Sequence, residues 1–276
     1  MIRSVMVALE GTPASEVAFR YAVHMARWHD ARMVMIAPVP GEDSLRSEGE
    51  AADLEYDEQE QLEEEDPTPA RSLRVTDQPL VDAAAAICGQ QRVAWRADGC
   101  SGDAAAHLAH CAPRADIVTV SRRGTPGARR KLPAHVFAVL RASARSVLVT
   151  PETYQEPQII VAAYDGSHPA ARALALAAET SSRSELPLSV VSIGTDVTTV
   201  AHLGEAKKYL AAYSGQAEFA GRRGDPVAEL TALTFERTGT LLVIGAYGRR
   251  SLARLLGGSR TERLLRGCHG PALVVR

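Results

Sequence analysis

The chain has 276 residues, of which 46% are hydrophobic and 5% aromatic, and its 31 basic and 33 acidic side chains leave a formal charge of −2. That length suggests two ordinary domains with buried cores, in a soluble globular protein. No stretch reaches the roughly 18 consecutive apolar residues of a membrane helix, and MIRSVMVALEG is too short and polar-flanked for a signal peptide, so a cytoplasmic address is expected.

Cys88, Cys100, Cys111 and Cys268 show no CxxC spacing, which argues for reduced thiols rather than disulfides or structural zinc. Only Lys131, Lys207 and Lys208 are lysines, a bias that suggests a GC-rich genome and weakens any argument from arginine content alone. The charge is segregated. Residues 42–66 hold thirteen acids and one base, so the rest of the chain carries about ten excess positive charges.

In chain order, RSVMVALEG predicts a buried strand and a turn carrying Glu10, followed by an alanine-rich helix and a second strand ending near MVMIAPV. The acidic stretch 42–66 then interrupts, read as a solvated helix or loop, with the sharper alternative that it folds over arginine-rich loops. A helix near Val81 to Cys88, the strand RVAWRADGC, a helix over AAAHLAH, the strand DIVTV and the strand RSVLVTP complete the first unit.

Beyond TPETYQEP the same order begins again. QIIVAAYDG answers RSVMVALEG, LPLSVVSIG the second strand, QAEFAGRRGDPVAEL the third strand and its helix, TLLVIGAYG the fourth and PALVVR the last. Short Val/Ile/Leu runs without alternation, separated by helical patterns, predict strands buried on both faces. The fold class is therefore α/β, with two tandem open parallel-sheet, Rossmann-like domains at 1–151 and 157–276. The final strands SVLVT and ALVVR, read as edge strands with unpaired backbone groups, are expected to find a partner. Further dimerisation of the chain stays open.

In open α/β sheets ligands sit beyond the carboxyl ends of strands, where the strand order reverses. Asp165 after IIVAAY and Gly245 after LLVI stand at such ends. Carboxylate oxygens there could accept hydrogen bonds from a ribose, and N–H groups around Gly245, Gly248, Gly258 and Ser259 could hold phosphates. No Gly-Lys pair exists for a P-loop, and the first strands lead into LEGTPAS and YDGSHPA rather than GxGxxG.

The remaining spacing, Gly245, two residues, Gly248, nine residues, Gly258 and Ser259, together with Asp165, resembles the ATP-binding members of the universal stress protein family. The resemblance covers nearly the whole chain as a tandem pair, with 42–66 outside it, and since related proteins pair through their last strand it implies that SVLVT and ALVVR join the two halves as an intramolecular pseudo-dimer. It implies adenine and ribose near Asp165 and Ile193, and phosphates between Gly245–Gly248 and Gly258–Ser259. A Mg or Mn ion would be held mainly by the phosphates. Arg249 follows the second glycine and could neutralise phosphate charge. Arg260 replaces a usually small apolar residue of the family pattern. In the first half Glu10, Ser121, Ala134 and His135 depart from the pattern and only Gly124 remains, so that half is expected to be weak or silent for ATP.

The resemblance thus implies a nucleotide-dependent stress-response regulator acting on unidentified protein partners. The alternatives are a slow ATPase, for which His168 is the one doubtful base, and a ligand-free scaffold. His107, His110 and Cys111 share a helix but lack a completing ligand, and SRRGTPGARRK (121–131) lacks the aromatics or helix-turn-helix pattern of a nucleic-acid site. That arginine loop is read as solvated, or as a remnant phosphate site. Asp225 is expected to cap the helix that opens at Pro226.

Overall fold

The computed structural model describes residues 1–39, 78–101, 104–122, 132–213, 217–245 and 260–276. The first half runs β1 (Ser4–Ala8), α1 (Pro13–His29), β2 (Arg32–Val39), α2 (Gln78–Gln90), β3 (Trp95–Ser101), α3 (Ala104–Cys111), β4 (Ile117–Ser121), α4 (Ala134–Ala142) and β5 (Ser146–Thr150). The second runs β6 (Ile159–Ala163), α5 (His168–Ser184), β7 (Leu188–Ile193), α6 (Asp196–Leu210), β8 (Ala217–Arg222), α7 (Pro226–Glu236), β9 (Thr240–Gly245), α8 (Arg260–Gly267) and β10 (Ala272–Val275). The acidic stretch 42–66 lies outside the described residues.

All ten strands form one sheet in the order β3-β2-β1-β4-β5-β10-β9-β6-β7-β8. Within each half the strands are parallel, and the halves meet where β5 and β10 pair antiparallel, Leu148 opposite Leu273. The expected pairing of the final strands is therefore what joins the repeats. Strand residues alternate between two apolar layers: Val5, Val7, Ile160 and Ala162 pack under α1, α2, α5 and α6, while Met6, Ala8 and Val161 pack under α3, α4, α7 and α8. Burial on both faces explains why the strands read as continuous apolar runs.

The repeat is close in detail. α1 and α5 each have 17 residues, begin with Thr12 or Ser167 as N-cap and carry proline in the first turn. Each is preceded by a glycine in the left-handed region, Gly11 at φ +66° and Gly166 at φ +75°, a geometry that disfavours a side chain. Each ends on a left-handed residue, Asp30 or Glu185. A turn built from glycine, a hydroxyl N-cap and a proline in the first helical turn, Gly11-Thr12-Pro13 and Gly166-Ser167-His168-Pro169, is thus made twice by the same local rules.

The connection between halves is packed. Tyr21 of α1 donates its hydroxyl to the Gln155 carbonyl at 2.9 Å and accepts from the Gln155 amide at 3.0 Å. Tyr154 stacks with His24, whose Nε2 lies 2.5 Å from the Tyr154 hydroxyl, and burial together with Glu156 raises the Tyr154 pKa. Helices α1 and α5 meet through buried His29, whose Nε2 lies 3.1 Å from Thr180 Oγ1. That hydroxyl donates to the Leu176 carbonyl, so its oxygen accepts from His29 Nε2–H and fixes the neutral tautomer. Burial lowers the His29 pKa to about 4, against the opposing pull of Glu179 3.8 Å away.

Two arginines cross the seam. Arg122, directly after β4, donates to the Leu265 carbonyl at 3.1 Å and to the Cys268 carbonyl, capping the C-terminal end of α8. Arg276 donates to the Ser143 carbonyl at 2.6 Å and to the Leu140 carbonyl, at the end of α4. Cations at helix C-termini satisfy carbonyls that have no partner within the helix and complement its dipole. Arg122 was expected in a solvated loop; the need of α8 for a C-terminal donor overrides that reading. The rest of that loop, 123–131, lies outside the described residues.

All four cysteines are buried and free, in keeping with the expectation of reduced thiols. Among the described residues no helix is long and apolar enough to cross a membrane, and no group of three metal-ligating side chains gathers. His107 is half-buried, His110 exposed and Cys111 buried on α3. Asp225 caps α7, its Oδ2 accepting from the Ala228 amide at 3.1 Å, as expected.

Candidate functional site

β6 has β9 on one side and β7 on the other, so the crossovers leaving it diverge and a crevice opens at its carboxyl end. A cavity of about 290 Å³ lies there. Its lining brings together Asp165 after β6, Ile193 at the end of β7, Gly245 at the end of β9 and Arg260 at the start of α8. Residues nearly 100 positions apart thus share one wall because parallel strands aim their ends the same way. The other four predicted residues, Gly248, Arg249, Gly258 and Ser259, lie outside the described residues.

The walls divide by chemistry. Ala163, Val191, Val227, Leu230, Ile244 and Leu264 form an apolar side with room for a flat ring, while Asp165 and Arg260 stand exposed at the mouth. Asp165 Oδ1 accepts from the Ser167 amide at 3.1 Å, which ties the carboxylate to the turn that opens α5. The first turns of α5, α7 and α8 all contribute lining residues: Pro169 and Ala170, Pro226 and Val227, Arg260 and Thr261. Three helix N-termini therefore direct partial positive charge toward the cavity, which suits an anion.

Gly245 has a second reason to be glycine. A Cβ there would lie 2.4 Å from the Pro169 carbonyl carbon and 2.5 Å from the Ala170 nitrogen, both backbone. The first turn of α5 crosses the end of β9 too closely for any side chain. Sequence spacing pointed to backbone approach by a phosphate; the packing of helix on strand imposes the same residue independently.

Several neighbours escaped the sequence reading. Tyr164 lines the cavity, and its hydroxyl donates to Glu205 at 3.5 Å; burial, then Glu205, raises its pKa. His202 of α6 meets the Tyr164 ring edge-on at 6.3 Å and places Nδ1 3.3 Å from Ser192 Oγ. His168 is exposed and is the first residue of α5, not a loop residue, and it does not line the cavity. Only Ser167 carried a local signal, the Ser-x-Pro cap, because the others depend on which helix packs over β6.

A sequence profile of the universal stress protein family matches residues 1–151 and 194–276. The chain belongs to the universal stress protein family. It is 29% identical over 166 residues to universal stress protein Slr1230 of Synechocystis sp., the match spanning 58% of each chain. Its fold is similar to that of a universal stress protein from Archaeoglobus fulgidus DSM 4304, with TM-score 0.69, 14% identity and coverage of 98% of this chain and 97% of that one. It is also similar to PA1789 from Pseudomonas aeruginosa PAO1, a protein described as functionally unknown, at TM-score 0.68 and 17% identity over 99% and 92% of the two chains.

Within this universal stress protein the first half treats the same crevice differently. Glu10 takes the place of Asp165, and β4 ends in Ser121 rather than glycine. His135, where the family pattern has serine or threonine, lies with Nε2 3.3 Å from the Ser121 carbonyl oxygen. Two departures from the pattern therefore touch each other. Gly124 lies outside the described residues.

Proposed function

We propose that this universal stress protein binds ATP in its second half and uses the bound state to regulate partner proteins. The observation that supports this reading best is the cavity at the end of β6, where Asp165, Ile193, Gly245 and Arg260 converge before three helix N-termini. Its residues fit the ligand in kind. The apolar wall suits adenine, the Asp165 carboxylate can accept from ribose hydroxyls, and N–H groups with Arg260 suit phosphates. ATP would bring its own Mg or Mn ion, held mainly by its phosphates.

Within the chain, the Asp165 turn orients the carboxylate and the helix N-termini stabilise negative charge, so binding needs no large rearrangement of the described walls. Turnover makes a further demand, a group that positions or activates water beside the phosphates. Asp165 is the one carboxylate among the described lining residues, and the family resemblance assigns it to the sugar. Binding is therefore proposed over hydrolysis.

Mass spectrometry of ligand released from freshly purified protein, followed by ATP titration of wild type and Asp165→Ala, tests the proposal. The expected result is ATP bound by wild type and binding weakened at least about tenfold in a folded Asp165→Ala variant. Absence of both released nucleotide and titratable ATP binding in the wild type would favour the scaffold instead.

A further inference from the structure

The opposite edge of the first half holds a second concavity, of about 760 Å³, at the amino ends of β1, β2 and β3. Six arginines line it: Arg3, Arg27, Arg32, Arg92, Arg96 and Arg114. Asp30 is the only acid among its described lining residues, which leaves those residues a formal excess of five positive charges. Arg96 pairs with Asp98 at 3.0 Å and Arg27 donates to Gln91 at 2.8 Å. The Arg32 amide donates to the Arg3 carbonyl at 2.9 Å, and because Arg32 is in register with Ser4, Arg3 and Arg32 leave the amino edge of the sheet from opposite faces.

The second half supplies an internal control. By strand register and helix position, Gln158, Ser182, Pro187, Glu218 and Thr238 occupy the places of Arg3, Arg27, Arg32, Arg96 and Arg114. The equivalent of Arg92 lies outside the described residues. None of the five is basic, and Glu218 reverses the charge. A genome-wide preference for arginine would act on both halves alike. Helix C-terminal dipoles account in part for Arg27, Arg92 and Arg114, which follow or end helical segments, but both halves have those helix ends.

We propose that this cleft is a second anion site, separate from the cavity at Asp165, and that it takes a small ligand bearing several adjacent phosphate groups. The concavity has the dimensions of a small-molecule pocket rather than a flat duplex-binding face. Among the described residues no aromatic side chain lines it, so recognition rests on guanidinium groups that pair with phosphate oxygens two at a time. Ser4 and Gln91 add neutral polar groups at the wall. A free oligophosphate and the phosphate chain of a larger metabolite share this chemistry.

Calorimetric titration of the full chain with sodium tripolyphosphate, with and without saturating ATP, tests the assignment. Binding is expected in both conditions, weakened at least about tenfold in Arg32→Gln/Arg92→Gln and weakened by added salt. Asp165→Ala is expected to leave it unchanged, which separates this site from the proposed ATP site even if ATP fails to bind there. Both arginines are exposed, and an unchanged melting curve for the double variant confirms folding. With ATP saturating, competition by a sugar diphosphate that is stronger than competition by free pyrophosphate, and seen only when the arginines are intact, assigns the phosphate chain of a larger metabolite; the reverse order assigns a free oligophosphate. No binding of tripolyphosphate, affinity indifferent to the double variant, full displacement of tripolyphosphate from the wild-type chain by ATP, or binding of a short DNA duplex alone would overturn the proposal.

Discussion

The two halves of this universal stress protein share a fold almost residue for residue and part company at both ends of their sheets. At the carboxyl ends, the second half leaves a cavity bordered by Gly245 and Asp165, whereas the first places His135 against Ser121. At the amino ends the contrast reverses: arginines crowd the first half, and Gln158, Pro187 and Glu218 stand in the second. Strand cores tolerate little change because both faces are buried, so duplicated sheets diverge where strands stop. The two halves keep one scaffold and differ at opposite rims.

The sharpest way to break the comparison is at Gly245. Gly245→Val should destabilise the chain by about 3 kcal/mol or more, since its Cβ meets the backbone of Pro169 and Ala170, while Ser121→Gly should cost less than about 1 kcal/mol. Urea unfolding of both variants measures the difference; a tolerated valine would mean that α5 can move off β9. Next in size is the seam itself. His29 is held neutral with its pKa depressed to about 4. The unfolded chain therefore binds the proton first, so stability is fully present above about pH 6.5 and falls as pH drops toward about 4, by about 2–3 kcal/mol in all. His29→Gln should flatten that slope between pH 7.5 and 4.5 in urea titrations, and an undiminished slope would place the pH sensitivity elsewhere.

A smaller effect is expected from exchanging the acids. Asp165→Glu, which imports the side chain of the first half, should weaken ATP binding about tenfold, and Glu10→Asp should create none, because His135 and Ser121 remain. ATP binding gained by Glu10→Asp alone would show that the acid, not the His135–Ser121 contact, sets the expected difference between the halves. The smallest change concerns Arg122. Arg122→Gln removes a charged donor from the end of α8 and should cost about 1–2 kcal/mol, read as a lowered urea midpoint.

Much of this was legible before any coordinates. Two repeats, parallel strands and a crevice near Asp165 all follow from local pattern and strand order, which are short-range rules applied twice, and pairing through SVLVT and ALVVR follows from the family resemblance. What stayed hidden depends on distance in the chain. Arg3, Arg32, Arg92 and Arg114 look like scattered bases until parallel register lines up the starts of three strands. Arg122 sits in a run of bases that reads as solvent-facing, and only the antiparallel seam brings it to Cys268. Gly245 was recognised by its spacing, yet its steric partner, the first turn of α5, lies more than seventy residues earlier.

The antiparallel contact between β5 and β10 has an evolutionary corollary. When two identical subunits pair through their last strands, a mutation in one gene alters both members of every pair. Once the pair is encoded as a single chain, each half mutates alone yet always meets the same companion, at fixed one-to-one stoichiometry and without competing self-pairings. Covalent tethering thus turns a symmetric assembly into an inheritable asymmetric one, in which one rim can lose a pocket while its companion keeps it.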